Sequence, residues 1–221
     1  MAIKPILFNT EMVRAILDGR KCCTRRVVKF PVNRYTNNVP LADKVVLQEL
    51  RCDKANFLEE PFFSFGMNLP YQPGDILYVR ETFGYPISLN SDRQYVYRAD
   101  EVAENGFKND SHIWHPSIHM PKEAARIWLK VTDVRVERLQ EITDEQAKRE
   151  GIQCDECPTG FTWKQETDVH NCYTTPIGAM QALWDSTIKK SNLDRYGWDA
   201  NPYVFVIEFV KIDKPEEIQN A

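Results

Sequence analysis

No apolar run in the 221 residues is long enough to cross a bilayer. The N-terminus also lacks the uninterrupted apolar stretch of a signal peptide, because Glu11 and Arg14 fall inside it. A cytoplasmic protein with no membrane partner is expected. Cysteine is scarce: six in a chain this long are too few for a disulfide scaffold, and the adjacent pair Cys22-Cys23 suits reduced thiols better than a bridge. Internal repeats are absent. A strong excess of charge of one sign is missing too, and the net charge of −4 argues against a general nucleic-acid coat. What is present, 43% hydrophobic residues, suffices for a real core, in one elaborated domain or two small ones.

The average charge conceals an asymmetry. Residues 1–34 carry eight basic and two acidic side chains, a local charge of +6 against −10 for the rest. On an acidic protein such a patch fits a bounded anionic ligand, a nucleotide or an RNA loop, better than a long duplex track; a solvated basic face is the alternative. The patch centres on Asp18-Gly19-Arg20-Lys21-Cys22-Cys23-Thr24-Arg25-Arg26. Glu11 to Leu17 reads as a short helix with Asn9 or Thr10 as N-cap, Gly19 as its left-handed stop, and Thr24 to Val28 as a strand. Lys21, Cys22 and Cys23 then fall on the turn between them. Such a junction either presents an amine and a hydroxyl together or only sets cations on a helix C-terminus ahead of a basic strand.

Further along, Pro5 to Phe8 is a short strand candidate. Residues 31–69 read as a proline-punctuated insertion, with a short strand at Val45 to Leu47. After the turn Pro73-Gly74-Asp75, Ile76 to Thr82 is a strand, and Gln94 to Arg98 is expected beside it. Residues 101–125 read as a polar loop containing Trp114-His115-Pro116-Ser117-Ile118-His119-Met120-Pro121. Arg126 to Leu139 alternates as one long strand whose parity changes near Thr132 and Asp133, which predicts a bulge. Ile142 to Gly151 is a helix: Thr143 and Gln146 form a capping box and Gly151 is the stop. Glu150, in its last turn, opposes the helix dipole, so either exposure to solvent or a role in a site must account for it. Pro176 to Ile188 has helical spacing through Ile177, Met180, Leu183 and Trp184, a core pattern. Ser191 to Pro202 reads as a polar connection, Tyr203 to Val210 as a buried closing strand, and residues 214–221 as a mobile tail.

Cys154, Cys157, His170 and Cys172 have the residue types of a structural zinc site, although His-x-Cys is tighter than the usual second pair; reduced cysteines on an inserted loop are the competing reading. No other cofactor or metal is expected, and no protein partner is evident.

Gly19-x-Lys21-x-x-Thr24-x-Arg26 after a short helix, Gly74-Asp75 opening a strand, the helix ending at Glu150 and the final strand together resemble an ASCH domain of the PUA-like superfamily. The Trp114 to Pro121 segment and the Asn201-Pro202 lead into the last strand are similar to the long ASCH proteins of phages and prophages. The resemblance implies an α+β fold: a PUA-like (ASCH) β-barrel with flanking helices, one domain over 1–213 with large insertions at about 31–69, 101–125 and 153–200. Many members have Glu at the position of Thr24. Thr is instead found in the small bacterial N4-acetylcytidine amidohydrolases, whose catalytic Lys, Thr and Glu match Lys21, Thr24 and Glu150.

The implied activity is removal of an acyl group from a nucleobase amine, with a nucleoside or RNA as partner and Arg20, Arg25, Arg26, Tyr97 and Trp114 as substrate-binding residues. In that chemistry Thr24 supplies a nucleophilic hydroxyl. Lys21 must be neutral to take its proton: neighbouring arginines favour the neutral amine and a nearby Glu150 the ammonium. Arg26, on the strand face of Thr24, is suited to an oxyanion or phosphate. Two other readings remain open: a non-catalytic RNA-binding module in which Tyr97 or Trp114 stacks a base, and a ribonuclease, an activity that some ASCH proteins show.

Overall fold

The computed structural model describes residues 1–28, 69–86, 94–101, 113–154, 161–162 and 173–215. The expected strand at Val45 to Leu47 and most of the 31–69 insertion lie outside these, as do residues 216–221 of the tail. The strands are β1 (Ile3–Leu7), β2 (Cys23–Val27), β3 (Ile76–Arg80), β4 (Phe83–Gly84), β5 (Val96–Tyr97), β6 (Trp128–Arg138), β7 (Gln153–Cys154), β8 (Phe161–Thr162) and β9 (Tyr203–Ile212). The helices are α1 (Thr10–Leu17), α2 (Asp144–Arg149), α3 (Pro176–Thr187) and the single turn α4 (Leu193–Tyr196).

Five strands make one sheet in the order β1-β3-β6-β9-β2. Its spine is the antiparallel pair β6 and β9, whose Leu129, Val131, Val134, Val204, Val206 and Ile207 are buried. The register shifts between Val131 and Asp133, where the side-chain parity changes, so Thr132 is the extra residue that lets both halves of β6 face the same core. β1 runs parallel to β3, and β2 is antiparallel to β9. The fold is thus α+β with an open sheet among the described residues; a closed barrel is not formed. The two edges nevertheless approach each other, because Arg26 Nη2 in β2 donates to Leu7 O at the end of β1 at 3.0 Å.

Residues 94–98 do not join this sheet. β3 already has β1 on one side and β6 on the other, so neither edge is available, and β5 pairs with β4 in a separate ribbon. β3 also ends at Arg80 and not at Thr82: the Glu81 N–H turns to the Met120 sulfur, and its buried carboxylate is held by Arg126 at 2.9 and 3.0 Å. The described end of the 101–125 segment is more ordered than a polar loop. His115 and Phe83 exchange backbone hydrogen bonds, and Met120, Ala124 and Ala125 pack with Phe83 and Trp128 in a small second core.

The helices carry their expected ends. The Asn9 side chain accepts from Met12 N at 2.9 Å and so caps α1, and Gly19 follows it at φ +75°. In α2, Thr143 Oγ1 accepts from Gln146 N while Gln146 Oε1 accepts from Thr143 N. Thr175 caps α3 with Pro176 at its first position, and the Ala179, Met180, Leu183 and Trp184 side chains enter the main core, so this part of the expected 153–200 insertion belongs to the body of the domain. The connection after α3 is structural as well as polar: Trp198 is buried, its N–H donating to Asp185 Oδ1, and Tyr196 O accepts from Trp184 Nε1 at 2.8 Å.

Gly151 couples α2 to α1. It sits at φ +105°, and a Cβ there would meet the Ala15 Cβ at 2.9 Å. Gly151→Ala therefore combines a left-handed backbone with a clash between helices, and is expected to cost about 1–3 kcal/mol or more. Urea denaturation of the variant measures this; an unchanged midpoint would show that the α1 to α2 contact yields without cost.

Candidate functional site

The approach of the two sheet edges leaves a cavity of about 360 Å³ between the end of β1, β2 and the helices α1 and α3. Its walls are largely apolar: Phe8, Met12, Met180, Leu183, Trp184 and Ile188. Its polar lining comprises Lys21, Thr24, Arg25, Arg26 and Glu150, with Asn9 and Thr187.

The backbone explains how Lys21 meets a residue 129 positions away. Gly19 turns the chain out of α1, Lys21 N donates to Ala15 O, and Cys22 N donates to Arg149 O, so Lys21 and Glu150 form an isolated antiparallel bridge. Lys21 is thus not on a free turn, and Cys23 already begins β2. Lys21 Nζ donates to Glu150 O at 2.9 Å and to Oε2 at 2.6 Å. Arg25 Nη1 donates to the other carboxylate oxygen, Oε1, at 3.0 Å, and its Nη2 to Gln146 Oε1 at 3.0 Å. Gln146 therefore serves both the capping box of α2 and the orientation of Arg25.

Glu150 is 3% exposed, so solvent does not account for a carboxylate at this helix end; the two cations do. Burial by itself would raise its pKa, but the Lys21 and Arg25 charges and their hydrogen bonds hold it below the ordinary carboxylate value. Cys23, beside the cluster, moves the other way: burial, with the Glu150 charge adding to it, pushes its thiol up to about 12. It stays protonated and is not a nucleophile candidate.

Thr24 is 2% exposed, and its Oγ1 accepts from Arg26 Nη1 at 2.7 Å. Its own proton meets no acceptor among the described residues. Arg26 reaches Thr24, Arg25 O and Leu7 O, and its guanidinium lies 5.3 Å from the centre of the Phe8 ring. The Lys21 ammonium lies 5.5 Å from the same ring. Phe8 thus carries two of the site's cations through cation–π contact.

Lys21, Thr24, Glu150, Arg25 and Arg26 are brought to one cavity. Arg20, Tyr97 and Trp114 are not among its lining residues. Arg20 pairs with Asp18 and donates to Gly151 O. Tyr97 donates to Ala124 O, and the Arg126 guanidinium stacks 3.9 Å from its ring centre, while Trp114 faces Arg98. Among the zinc candidates, Cys157, His170, Cys172 and the Cys154 side chain lie outside the described residues; among the described ones no group of three metal-binding side chains gathers. Phe8, Met12 and Trp184 are lining residues with no separate signal in the sequence, because an apolar residue at helical or strand spacing reads the same whether it packs on protein or faces a cavity. No described helix is long and apolar enough to cross a membrane.

Neither a family model, nor a curated protein, nor a solved structure matches the chain.

Proposed function

We propose that the protein is a PUA-like, ASCH-type hydrolase that removes an acyl group from the exocyclic amine of a nucleobase, N4-acetylcytidine being the model substrate. The observation that carries the reading is that Lys21 and Thr24 and the far-off Glu150 of that resemblance line one cavity with a cationic floor and an aromatic and aliphatic wall. Its volume lies at the small end of the roughly 300–1,000 Å³ range of ligand cavities, which suits a nucleoside-sized ligand and excludes a duplex. The approach of the two sheet edges at the site, through Arg26 Nη2 and Leu7 O, is what supports the PUA-like assignment.

In the proposed reaction Thr24 Oγ attacks the acyl carbon, the carbonyl electrons move onto oxygen, and the C–N bond breaks as the base amine takes a proton. Water then cleaves the resulting ester and restores Thr24. The proton of Thr24 passes to the Lys21 amine once that amine has given one of its own to Glu150 Oε2, along the 2.6 Å contact. Because Glu150 is stabilised as a carboxylate, this transfer is uphill in the empty cavity, and exclusion of water by a bound ligand lowers its cost by making the separated charges less favourable. One feature favours the second reading, a cavity that binds a nucleotide without turnover: in the empty site Lys21 spends two donors on Glu150.

The deciding experiment is incubation with N4-acetylcytidine and a panel of other N-acylated nucleosides, followed by mass detection of the free base amine. Release of the amine by the wild type and not by Thr24→Ala is expected. Ligand binding without product across the panel would overturn the hydrolase in favour of the binding cavity.

A further inference from the structure

The basic residues of the N-terminal stretch are mostly neutralised within the fold. Lys4 faces Asp75, Arg14 faces Glu11, Arg20 faces Asp18, and both Lys21 and Arg25 face Glu150, with Glu137 3.5 Å from Arg25. Arg26 alone of those described has no carboxylate partner among the described residues. Its hydrogen bonds go to neutral oxygens, two from Nη1 and one from Nη2. Nε and the second Nη2 proton are left without an acceptor there, on a side chain that lines the cavity. The buried Nε of Arg25, in the same lining, also has no hydrogen-bond partner.

The lining therefore holds three cations, Lys21, Arg25 and Arg26, and one carboxylate, Glu150, which is paired with the first two. A half-buried guanidinium without a counter-charge keeps donors unspent, and its fork is the geometry that takes a carboxylate or phosphate side-on. Burial disfavours the charge of Arg26, so an anion entering the cavity relieves an existing penalty.

We infer that the ligand of this cavity carries an anionic oxygen group bound by Arg26, attached to a flat apolar body held against Phe8 and Trp184: a nucleotide bearing a phosphate and not a free nucleoside. The inference rests on the nucleobase reading above and adds the charge of the substrate. An oxyanion role for Arg26 confined to the transition state would give a different result, because ground-state affinity would then be indifferent to the charge of the ligand.

The test is isothermal titration of the wild-type protein with cytidine, uridine, adenosine and guanosine, each with and without a 5′-phosphate, and with a 5′-phosphorylated dinucleotide. A gain of about tenfold or more for the phosphorylated form of at least one base is expected, from a charge-assisted hydrogen-bonded pair. The gain should shrink as salt is raised. Arg26→Gln should bring the ratio of nucleotide to nucleoside affinity down to about one. Arg26→Lys, which keeps the charge and loses the fork, should retain part of the gain. The wild-type salt series reads the same interaction without any variant, should Arg26→Gln fail to fold. A gain with the mononucleotide identifies a free nucleotide as the source of the anion, and a gain confined to the dinucleotide identifies the end of an RNA strand. Equal affinity for nucleoside and nucleotide, or no binding of either, would overturn the inference. No acyl group is involved in these titrations, so absence of deacylation leaves the inference standing, and equal affinities leave the hydrolase standing.

Discussion

Glu150→Gln is expected to destabilise the fold by about 3–5 kcal/mol, more than any other single change in the site, because it leaves the Lys21 and Arg25 charges facing a neutral amide in a buried position. Lys21→Met should cost less. It removes one of two cations from a carboxylate that Arg25 still holds at 3.0 Å, and it replaces a buried ammonium by an apolar side chain of similar length. The double variant should be less unstable than the two single losses summed, since the second change removes a charge that the first left stranded. Urea denaturation of the three proteins with a shared m-value gives these differences. A Glu150→Gln loss below about 0.5 kcal/mol would mean that the cluster behaves as a solvated surface pair, contrary to its burial.

The same cluster sets an acid limit. Glu150 has its pKa lowered in the folded protein from an ordinary value of 4.5, so the unfolded chain takes up its proton first as pH falls. The stabilisation is fully present above pH 4.5 and is lost as pH drops from there through the folded value. Glu208, bound by Arg149 and Arg135 and lowered in the same direction, adds to the effect. In denaturation curves between pH 7 and pH 3, wild type should lose stability below about pH 4.5. Glu150→Gln should show a shallower decline, and parallel declines would remove Glu150 from the acid limit.

Local chemistry carried most of the helix and strand assignments. Thr143, Gln146 and Gly151 delimit α2 because capping and a left-handed stop are properties of a few adjacent residues, and the parity change in 126–139 is visible because a strand records its buried face every second residue. The expectation that 94–98 belongs to the main sheet failed because alternation says nothing of which edges are free. The site divides along the same line. Glu150 stands out as a carboxylate at a helix C-terminus, where local structure gives it no reason to be. Lys21 and Thr24 have local reasons, a cation at a helix end and a β-branched residue in a strand, and stand out only through the resemblance. Tyr97 and Trp114 offer ring faces to a base, but a sequence does not show that Arg126 and Arg98 cover them. That Arg25 is committed to Glu150 while Arg26 is not follows from the packing of α2 on β2, a contact between residues more than a hundred positions apart.

Removing the Thr24 hydroxyl is expected to lower the rate of acyl release by at least about 10³-fold while changing nucleotide affinity by no more than about twofold. The small hydroxyl contributes the atom that bonds to the acyl carbon and little contact area, and Arg26, which donates to it, keeps its bonds to Arg25 O and Leu7 O. Thr24→Ser should retain measurable turnover, because it keeps the oxygen. Lys21→Met should lose a comparable factor, and the Thr24→Ala, Lys21→Met double variant should be no slower than either single one, since a nucleophile and its base fail as a unit. Glu150→Gln, where it folds, should lose a comparable factor, because it removes the oxygen that takes the Lys21 proton. Both carboxylate oxygens are engaged, Oε1 by Arg25 and Oε2 by Lys21, so no oxygen is left to activate water, and the carboxylate acts through the Lys21 amine. Single-turnover rates paired with affinities from titration separate the chemical step from binding. Full activity in Thr24→Ala would end the nucleophile assignment. Full activity in Glu150→Gln, in a protein that remains folded, would instead take the carboxylate out of the proton path.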